Sequence, residues 1–245
     1  MIRSLFHYIR RRMPGKEELI NPARLTRQSI AMLRREYQGQ PLLEDHVDNN
    51  PLNQFEIWFR EAINVVKDDP NAMILSTVDE KGIPSARTVL LKGYDESGFV
   101  FYTNYNSRKG KHITANQNVS LIFYWPDLMR QVCIEGVAAK VPDQQSDDYF
   151  RSRPAGSRIS AVASPQSDEV TSRKELEIRV KELEDKYPHI DNMPRPAYWG
   201  GYKVRPFRIE FWQGRVNRLH DRLCYTKKKE TSSTAAEWKL VRLAP

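Results

Sequence analysis

The stretch AMILSTVDEKGIPSARTVLLKGYDESGFVFYTN, residues 72–104, decides the fold class. Ala72–Val78, Ala86–Lys92 and Gly98–Asn104 are short and largely apolar, as strands are, and turn residues separate them. Asp79-Glu-Lys-Gly82 and Asp95-Glu-Ser-Gly98 supply the acidic residues and glycines that tight turns favour. Links this short join antiparallel neighbours, because a parallel crossover needs a dozen or more residues. Val119–Trp125 and Gln131–Val141 continue the series. Five closely spaced strands predict an antiparallel sheet or barrel.

Helices surround this core. Asn21-Pro22 opens a helix reaching about Tyr37, and Gly39 to Pro51 is a linker. From Leu52, apolar residues at Phe55, Phe59, Ala62, Ile63 and Val66 predict an amphipathic helix ending before Pro70. Ser107–Ile113 reads as a short helix, and Asp143–Ala163 as helix broken at Pro154. Ser172-Arg-Lys-Glu175 is a capping-box pattern that opens another. Pro194–Gly201 reads as a loop. Phe207–Gln213, Asp221–Tyr225 and Trp238–Leu243 read as final strands, with a polar hairpin at Lys227–Ala236. The sum is one α+β domain built around a barrel.

The chain has 245 residues, 40% hydrophobic and 29% charged, which allows a sizeable core. No stretch approaches the roughly 20 apolar residues of a membrane span. Cys133 and Cys224 form neither a disulfide framework nor a four-ligand zinc site, and point to a reducing compartment. Residues 1–40 hold nine Lys/Arg against three acids, six of the chain's eight net positive charges. The rest is nearly balanced, so neither nucleic acid nor membrane is expected as a partner. Residues 1–20 are expected to be a basic extension, disordered or targeting, and 21–245 a single domain. The expected compartment is the cytoplasm, with the mitochondrion as the alternative that MIRSLFHYIRRRMP at residues 1–14 leaves open.

Three stretches hold more polar chemistry than a barrel needs. In Arg87–Lys92, alternation puts Arg87, Val89 and Leu91 on one face and Thr88, Leu90 and Lys92 on the other. That is either an anion site or an ordinary strand with charged ends. In Tyr102–Lys109, a strand runs into Arg108 and Lys109 at a helix start, where free N–H groups favour a phosphate; a solvated terminus is the alternative. In Arg218–Arg222, a strand would present Arg218, His220 and Arg222 on one face and turn Asp221 outward as a surface residue. Nucleophile elbows, His-Glu-x-x-His pairs and Gly-x-Gly-x-x-Gly fingerprints do not occur. Read alone, the residues stop at a barrel with clustered anion-binding groups.

The same stretches resemble the pyridoxamine 5′-phosphate oxidase family over roughly Ser29 to Pro245. The resemblance rests on Leu33-Arg-Arg-Glu-Tyr37, Arg87–Lys92, Phe101–Asn104 with Ser107–Lys109, Arg130-Gln-Val132 and Tyr149-Phe-Arg-Ser-Arg-Pro154. It continues through Tyr198–Gly201, Ile209-Glu-Phe-Trp-Gln-Gly214, Arg218–Arg222 and the terminal Arg242-Leu-Ala-Pro245. It implies an FMN-binding split β-barrel with appended helices, working as a homodimer with FMN at the interface. It implies oxidation of pyridoxamine or pyridoxine 5′-phosphate by O2 to pyridoxal 5′-phosphate, with H2O2 released and no metal involved.

Carried over position by position, Arg87, Thr88, Val89, Leu90, Leu91, Lys92, Tyr102, Thr103, Arg108, Lys109, Gln131, Gln166, Ser167, Trp212 and Arg222 resemble the cofactor contacts. Lys92, Tyr149, Arg153 and Ser157 resemble the substrate-phosphate clamp. Arg218, Leu219 and His220 would sit at the pyridine ring, with Arg218 and His220 as the catalytic pair. Arg34, Arg35, Glu36 and Tyr37 would fold over the substrate as a lid. Val162 stands where many members carry an aromatic. Other split-barrel flavoproteins would have no reason to keep Arg218-Leu-His220 with Tyr149 and Arg153. A non-catalytic pyridoxal-phosphate carrier could dispense with Trp212 and Gln131.

Overall fold

In a computed structural model, which describes residues 35–228 and 237–245, the Asp79 carboxylate accepts hydrogen bonds from the N–H groups of Lys81 (2.9 Å) and Ile83 (2.8 Å). Gly82 takes φ +81° in the same turn, a conformation that costs glycine little. That turn joins the first two of nine described strands. The elements run α1 (Pro51–Val65), β1 (Ala72–Val78), β2 (Pro84–Leu90), β3 (Gly93–Asp95), β4 (Gly98–Asn104), α2 (Arg108–Ala115), β5 (Asn118–Trp125) and β6 (Arg130–Lys140). They continue with α3 (Asp143–Ser152), α4 (Ala155–Ala163), α5 (Arg173–Lys186), β7 (Trp199–Gln213), β8 (Asp221–Lys227) and β9 (Trp238–Arg242).

The chain divides into two compact units, Met1–Glu36 and Tyr37–Pro245. In the first, Arg35 and Glu36 are described, and both are exposed. Residues 35–37 carry no helix, where the sequence reading extended one to Tyr37. The remainder of that helix, the 1–20 extension, Arg34 and the hairpin tip at 229–236 lie outside the described residues.

In the second unit the sheet is antiparallel throughout, in the order β2-β1-β5-β6-β7-β4-β3, with β8 on β7 and β9 on β8. Its ends, β2 and β3, are consecutive in the chain, and the Lys92 N–H donates to the Val100 carbonyl of β4 at 2.8 Å. The sheet therefore rolls into a barrel. On one edge β7 is shared: Trp199–Val204 pairs with β4, and Arg208–Gln213 pairs with β8. Between these halves the register against β6 shifts at Glu135/Gly136, with Pro206 opposite Gly136. A bulge there accommodates a proline, which cannot donate to the ladder. The architecture is an α+β split barrel with helices appended.

Alternation fills the interior. Met73, Leu75, Phe99, Phe101, Leu121, Phe123, Ile134 and Phe211 are each at most 1% exposed. Helix α1 plugs this space with Phe55 and Trp58; its Asn50 cap accepts from Leu52 N–H at 2.9 Å and Pro51 begins the helix. Ile63, expected on the buried face, is exposed, and Trp58 packs inward instead. A second cluster, Phe150, Ile159, Met193 and Trp199, seats α3–α5 beside the start of β7. The break at Pro154 divides α3 from α4 as the sequence requires. The segment read as a loop through Gly201 is already strand from Trp199, because Gly200 and Gly201 are paired to β4.

Candidate active site

At the first turn of α2, Ser107 caps the helix by accepting from Gly110 N–H. Lys109, only 9% exposed, turns its ammonium back onto Thr103 Oγ1 (3.1 Å), Ser107 Oγ (3.2 Å) and Gln166 Oε1 (2.8 Å). From β2, Arg87 Nη1 donates to Thr77 Oγ1 (2.8 Å) and the Leu75 carbonyl (3.0 Å), and its Nη2 donates to Ser85 Oγ (2.8 Å). These hydrogen-bond partners are all neutral oxygens. Burial, and secondarily the charge of Arg87, pushes the Lys109 pKa down to about 8. Burial and nearby Arg108 lower that of Arg87. Three cations held together at a helix N-terminus, two of them withdrawn from water, form a site that a phosphate would neutralise. Thr77 and Ser85, which hold Arg87, had no role in the sequence reading; the signal for Thr77 was its place on the inward register after Met73 and Leu75.

A second group lies on β4, α3 and β7. The Tyr102 and Tyr149 rings stack at 3.8 Å, and Trp199 lies nearly parallel to both. The Arg153 guanidinium sits 4.7 Å from the Trp199 ring centroid. Its Nη1 is buried with no hydrogen-bond partner, a costly arrangement that an oxyanion would relieve. Burial raises the Tyr149 pKa, keeping the hydroxyl protonated. Ser157 is half-buried in the first turn of α4.

The third group spans β6, β7 and β8. Trp212 stands opposite Gln131 on one side and Arg222 on the other. The Trp212 and His220 rings are 4.7 Å apart, and Tyr37 meets both edge-on at 5.6 and 5.3 Å. Gly214 makes room for Tyr37, since a Cβ there would lie 2.5 Å from the ring. Arg215 N–H donates to His220 Nδ1 at 3.0 Å, so the neutral ring carries its proton on Nε2. Burial and the charge of Arg218 lower its pKa, favouring that neutral form.

The arginine–histidine motif departs from the strand expected of it. Val216–Arg218 is a 3-10 turn, with Asn217 at φ 54° and Arg218 at φ 61°, and β8 begins only at Asp221. Arg218 therefore does not alternate with His220 and Arg222; two left-handed residues redirect it, a strain of the kind found at functional sites. Asp221 is not a surface residue either. Its carboxylate pairs with Arg242 (2.7 Å) and Arg215 (3.4 Å) and accepts from Leu42 N–H (3.1 Å).

Among the cofactor candidates, Arg87, Thr103, Lys109 and Gln166 are brought together, with Arg108 exposed at the same helix start. Thr88 is exposed, Val89 and Leu90 are half-buried and Leu91 is buried, while β2 stops at Leu90 and Lys92 lies exposed beyond it. Ser167 is exposed with φ 77° in the turn that carries Gln166. Arg222 is engaged by Glu210 (2.7 Å) and the Ala244 carbonyl (2.9 Å). Among the substrate candidates, Tyr149 and Arg153 flank Trp199, and Leu219 is 70% exposed beside His220. The Val162 carbonyl accepts from Tyr198 OH at 3.3 Å. Among the described residues no group of His, Cys, Asp and Glu could hold a metal.

Comparison with known proteins places the chain in a family. Residues 59–187 match the family model described as "Pyridoxamine 5′-phosphate oxidase", and residues 199–245 match one described as "Pyridoxine 5′-phosphate oxidase C-terminal dimerisation region". A pyridoxine/pyridoxamine 5′-phosphate oxidase of Rubrobacter xylanophilus is 52% identical over 219 residues, covering 89% of this chain and 98% of its own. One of Burkholderia mallei is 51% identical over 217 residues, covering 89% and 99%. Among solved structures, PhzG from Burkholderia lata, in complex with tetrahydrophenazine-1-carboxylic acid, superposes with a TM-score of 0.76 at 28% identity, over 85% of this chain and 100% of its own. A pyridoxamine 5′-phosphate oxidase-related, FMN-binding protein from Nostoc punctiforme shares the fold, with a TM-score of 0.60 at 16% identity over 78% and 97%. With both family models matched in chain order and relatives alike almost end to end, the chain belongs to the pyridoxamine 5′-phosphate oxidase family.

Proposed function

We propose that this chain, as a homodimer, oxidises pyridoxamine 5′-phosphate or pyridoxine 5′-phosphate to pyridoxal 5′-phosphate with FMN as cofactor and O2 as electron acceptor, releasing H2O2. The observation that carries the reading is a pair of buried cationic atoms, the Lys109 ammonium, held by neutral oxygens alone, and Arg153 Nη1, which has no hydrogen-bond partner. An enzyme whose cofactor and substrate both end in a phosphate has use for both. When bound, FMN supplies the hydride acceptor for the substrate C4′ and returns the electrons to O2.

The chain's own residues bind and orient. Arg87, Arg108 and Lys109 hold the flavin phosphate at the start of α2, with Thr103 and Gln166 orienting the Lys109 ammonium. Gln131, Trp212 and Arg222, adjacent across three strands, meet the flavin ring system. The match of residues 199–245 to a dimerisation region supports a site completed by a second copy through the C-terminal region. Arg153, Tyr149 and Ser157 take the substrate phosphate, joined by Lys92. His220 offers Nε2–H, and Arg218 a positive charge, to the substrate ring and its 3-oxygen. Positioning of this kind can lower a barrier by several kcal/mol without a protein nucleophile. Tyr37, packed edge-on against Trp212 and His220, borders the substrate ring, and Ser167 shapes the turn beside Gln166. Residues 21–245 form the catalytic domain, and the cytoplasm is the proposed compartment.

The test is anaerobic addition of pyridoxine 5′-phosphate to the FMN-loaded protein while flavin absorbance is followed. Bleaching that air reverses, with pyridoxal 5′-phosphate formed, is expected. A flavin that binds and stays oxidised would reject the substrate assignment, and a chain that does not bind FMN would reject the cofactor.

A further inference from the structure

The partner that aims Arg87 is itself held from behind. Thr77 lies on the inward face of β1 and is fully buried. Its Oγ1 accepts from Arg87 Nη1 at 2.8 Å, and the same oxygen lies 3.2 Å from Nδ1 of His112. His112 is 8% exposed and comes from α2, the helix whose first turn carries Arg108 and Lys109. A guanidinium has only donors, so the Thr77 oxygen acts as acceptor toward Arg87. A hydroxyl has one proton, and Nδ1 is the acceptor within reach of it. Both bonds are satisfied together when His112 is neutral with its proton on Nε2.

We propose that His112 is a positioning residue for the cofactor's phosphate: by accepting the Thr77 hydroxyl proton it turns the Thr77 lone pair toward Arg87 and holds that guanidinium beside Arg108 and Lys109. The proposal rests on the FMN reading above. The relay His112–Thr77–Arg87 ties β1, β2 and α2 to one geometry, so the cations on two elements are set relative to one another by a buried hydroxyl. Without the acceptor, the Thr77 proton competes for the same space as the Arg87 N–H, and the guanidinium loses its orienting bond.

Two substitutions separate positioning from packing. His112→Phe keeps a ring and removes the acceptor, whereas His112→Asn loses volume but keeps an acceptor oxygen at the place of Nδ1. The full-length chain, freed of flavin, is titrated with FMN and with riboflavin, and flavin fluorescence is read. His112→Phe is expected to raise the FMN Kd about tenfold or more, the effect of losing a buried hydrogen bond to a charged group, with the riboflavin Kd unchanged. His112→Asn is expected to retain tight FMN binding. Thr77→Val, which removes the relay at its centre, is expected to repeat the Phe result, and the double variant to be no worse than either single one. An unchanged FMN-to-riboflavin ratio in both His112→Phe and Thr77→Val overturns the proposal, as does a loss in His112→Asn equal to that in His112→Phe. A wild-type chain that binds riboflavin as tightly as FMN would instead refute the phosphate site on which the proposal rests.

Discussion

Lys109 shows how burial and a neighbouring charge together shift the protonation of a side chain. Its pKa stands at about 8 because the ammonium has lost water and faces Arg87. A bound phosphate favours the charged form, so binding raises that pKa and takes up protons above pH 8. FMN affinity is therefore expected to be full below pH 8 and to fall as pH rises through and beyond it. The FMN phosphate, with its second pKa of about 6, contributes little there. Calorimetric titration at pH 9 in two buffers of different ionisation enthalpy should report net proton uptake; proton release would contradict the assignment. Arg218 belongs to a different class of residue, since it faces the substrate ring in the proposed mechanism. Arg218→Ala should lower turnover by roughly 100-fold, the scale of a lost positioning contact, while FMN is retained. Equal losses of turnover and FMN would remove Arg218 from that role. Neither residue's environment was legible in sequence: the cationic pair Arg108–Lys109 was, but the oxygens around it come from positions 103 and 166 as well as 107.

The elements were read more successfully than the contacts between them, because turns and caps are chosen by neighbouring residues. Asp79, Gly82, Ser107, Pro154 and Ser172 act within a few positions of themselves, and α2 to α5 and β1, β2, β4, β5 and β6 lie close to where those signals put them, whereas the three-residue β3 has no counterpart in the sequence reading. Two other elements were misjudged. β7 starts at Trp199 because β4 supplies hydrogen-bond partners to a Gly-rich segment whose own propensity is low, and Arg218 leaves the strand pattern because Asn217 bends the chain first. Packing between elements gives a further test. On α2, a Cβ added to Gly110 would lie 2.0 Å from the Tyr105 carbonyl oxygen, which is backbone and yields little. Gly110→Ala should therefore destabilise the fold by about 1–3 kcal/mol, lowering Tm by several degrees at about 2–4 °C per kcal/mol. It should also weaken FMN binding more than riboflavin binding, because α2 carries the proposed phosphate site. A variant with wild-type Tm would show that α2 is not seated against Tyr105.

Taken whole, the second unit is a rolled sheet whose long strand β7 pairs with β6 on one side and divides the other between β4 and β8, and whose C-terminal portion matches a dimerisation region. Ile74 and Tyr124, on β1 and β5, remain 41% and 49% exposed. If the homodimer completes the flavin site, sedimentation should give about twice the 28.6 kDa chain mass. Dilution into monomer should then release FMN in step with dissociation. A monomer that retains FMN would contradict the shared site. No described helix is long and apolar enough to cross a membrane. By itself the sequence determined the strand series, the caps and breaks of the helices, and the clustering of cationic side chains. Those depend on alternation, on φ preferences and on charge, all properties of short segments. Only the tertiary structure decided that Thr77 and Ser85 aim Arg87, that Trp199 underlies Arg153, and that Asp221 is engaged by Arg215 and Arg242. Each of those contacts joins residues brought together by strand pairing or barrel closure, whose free energy comes from burying surface far apart in the chain and leaves no mark on local spacing.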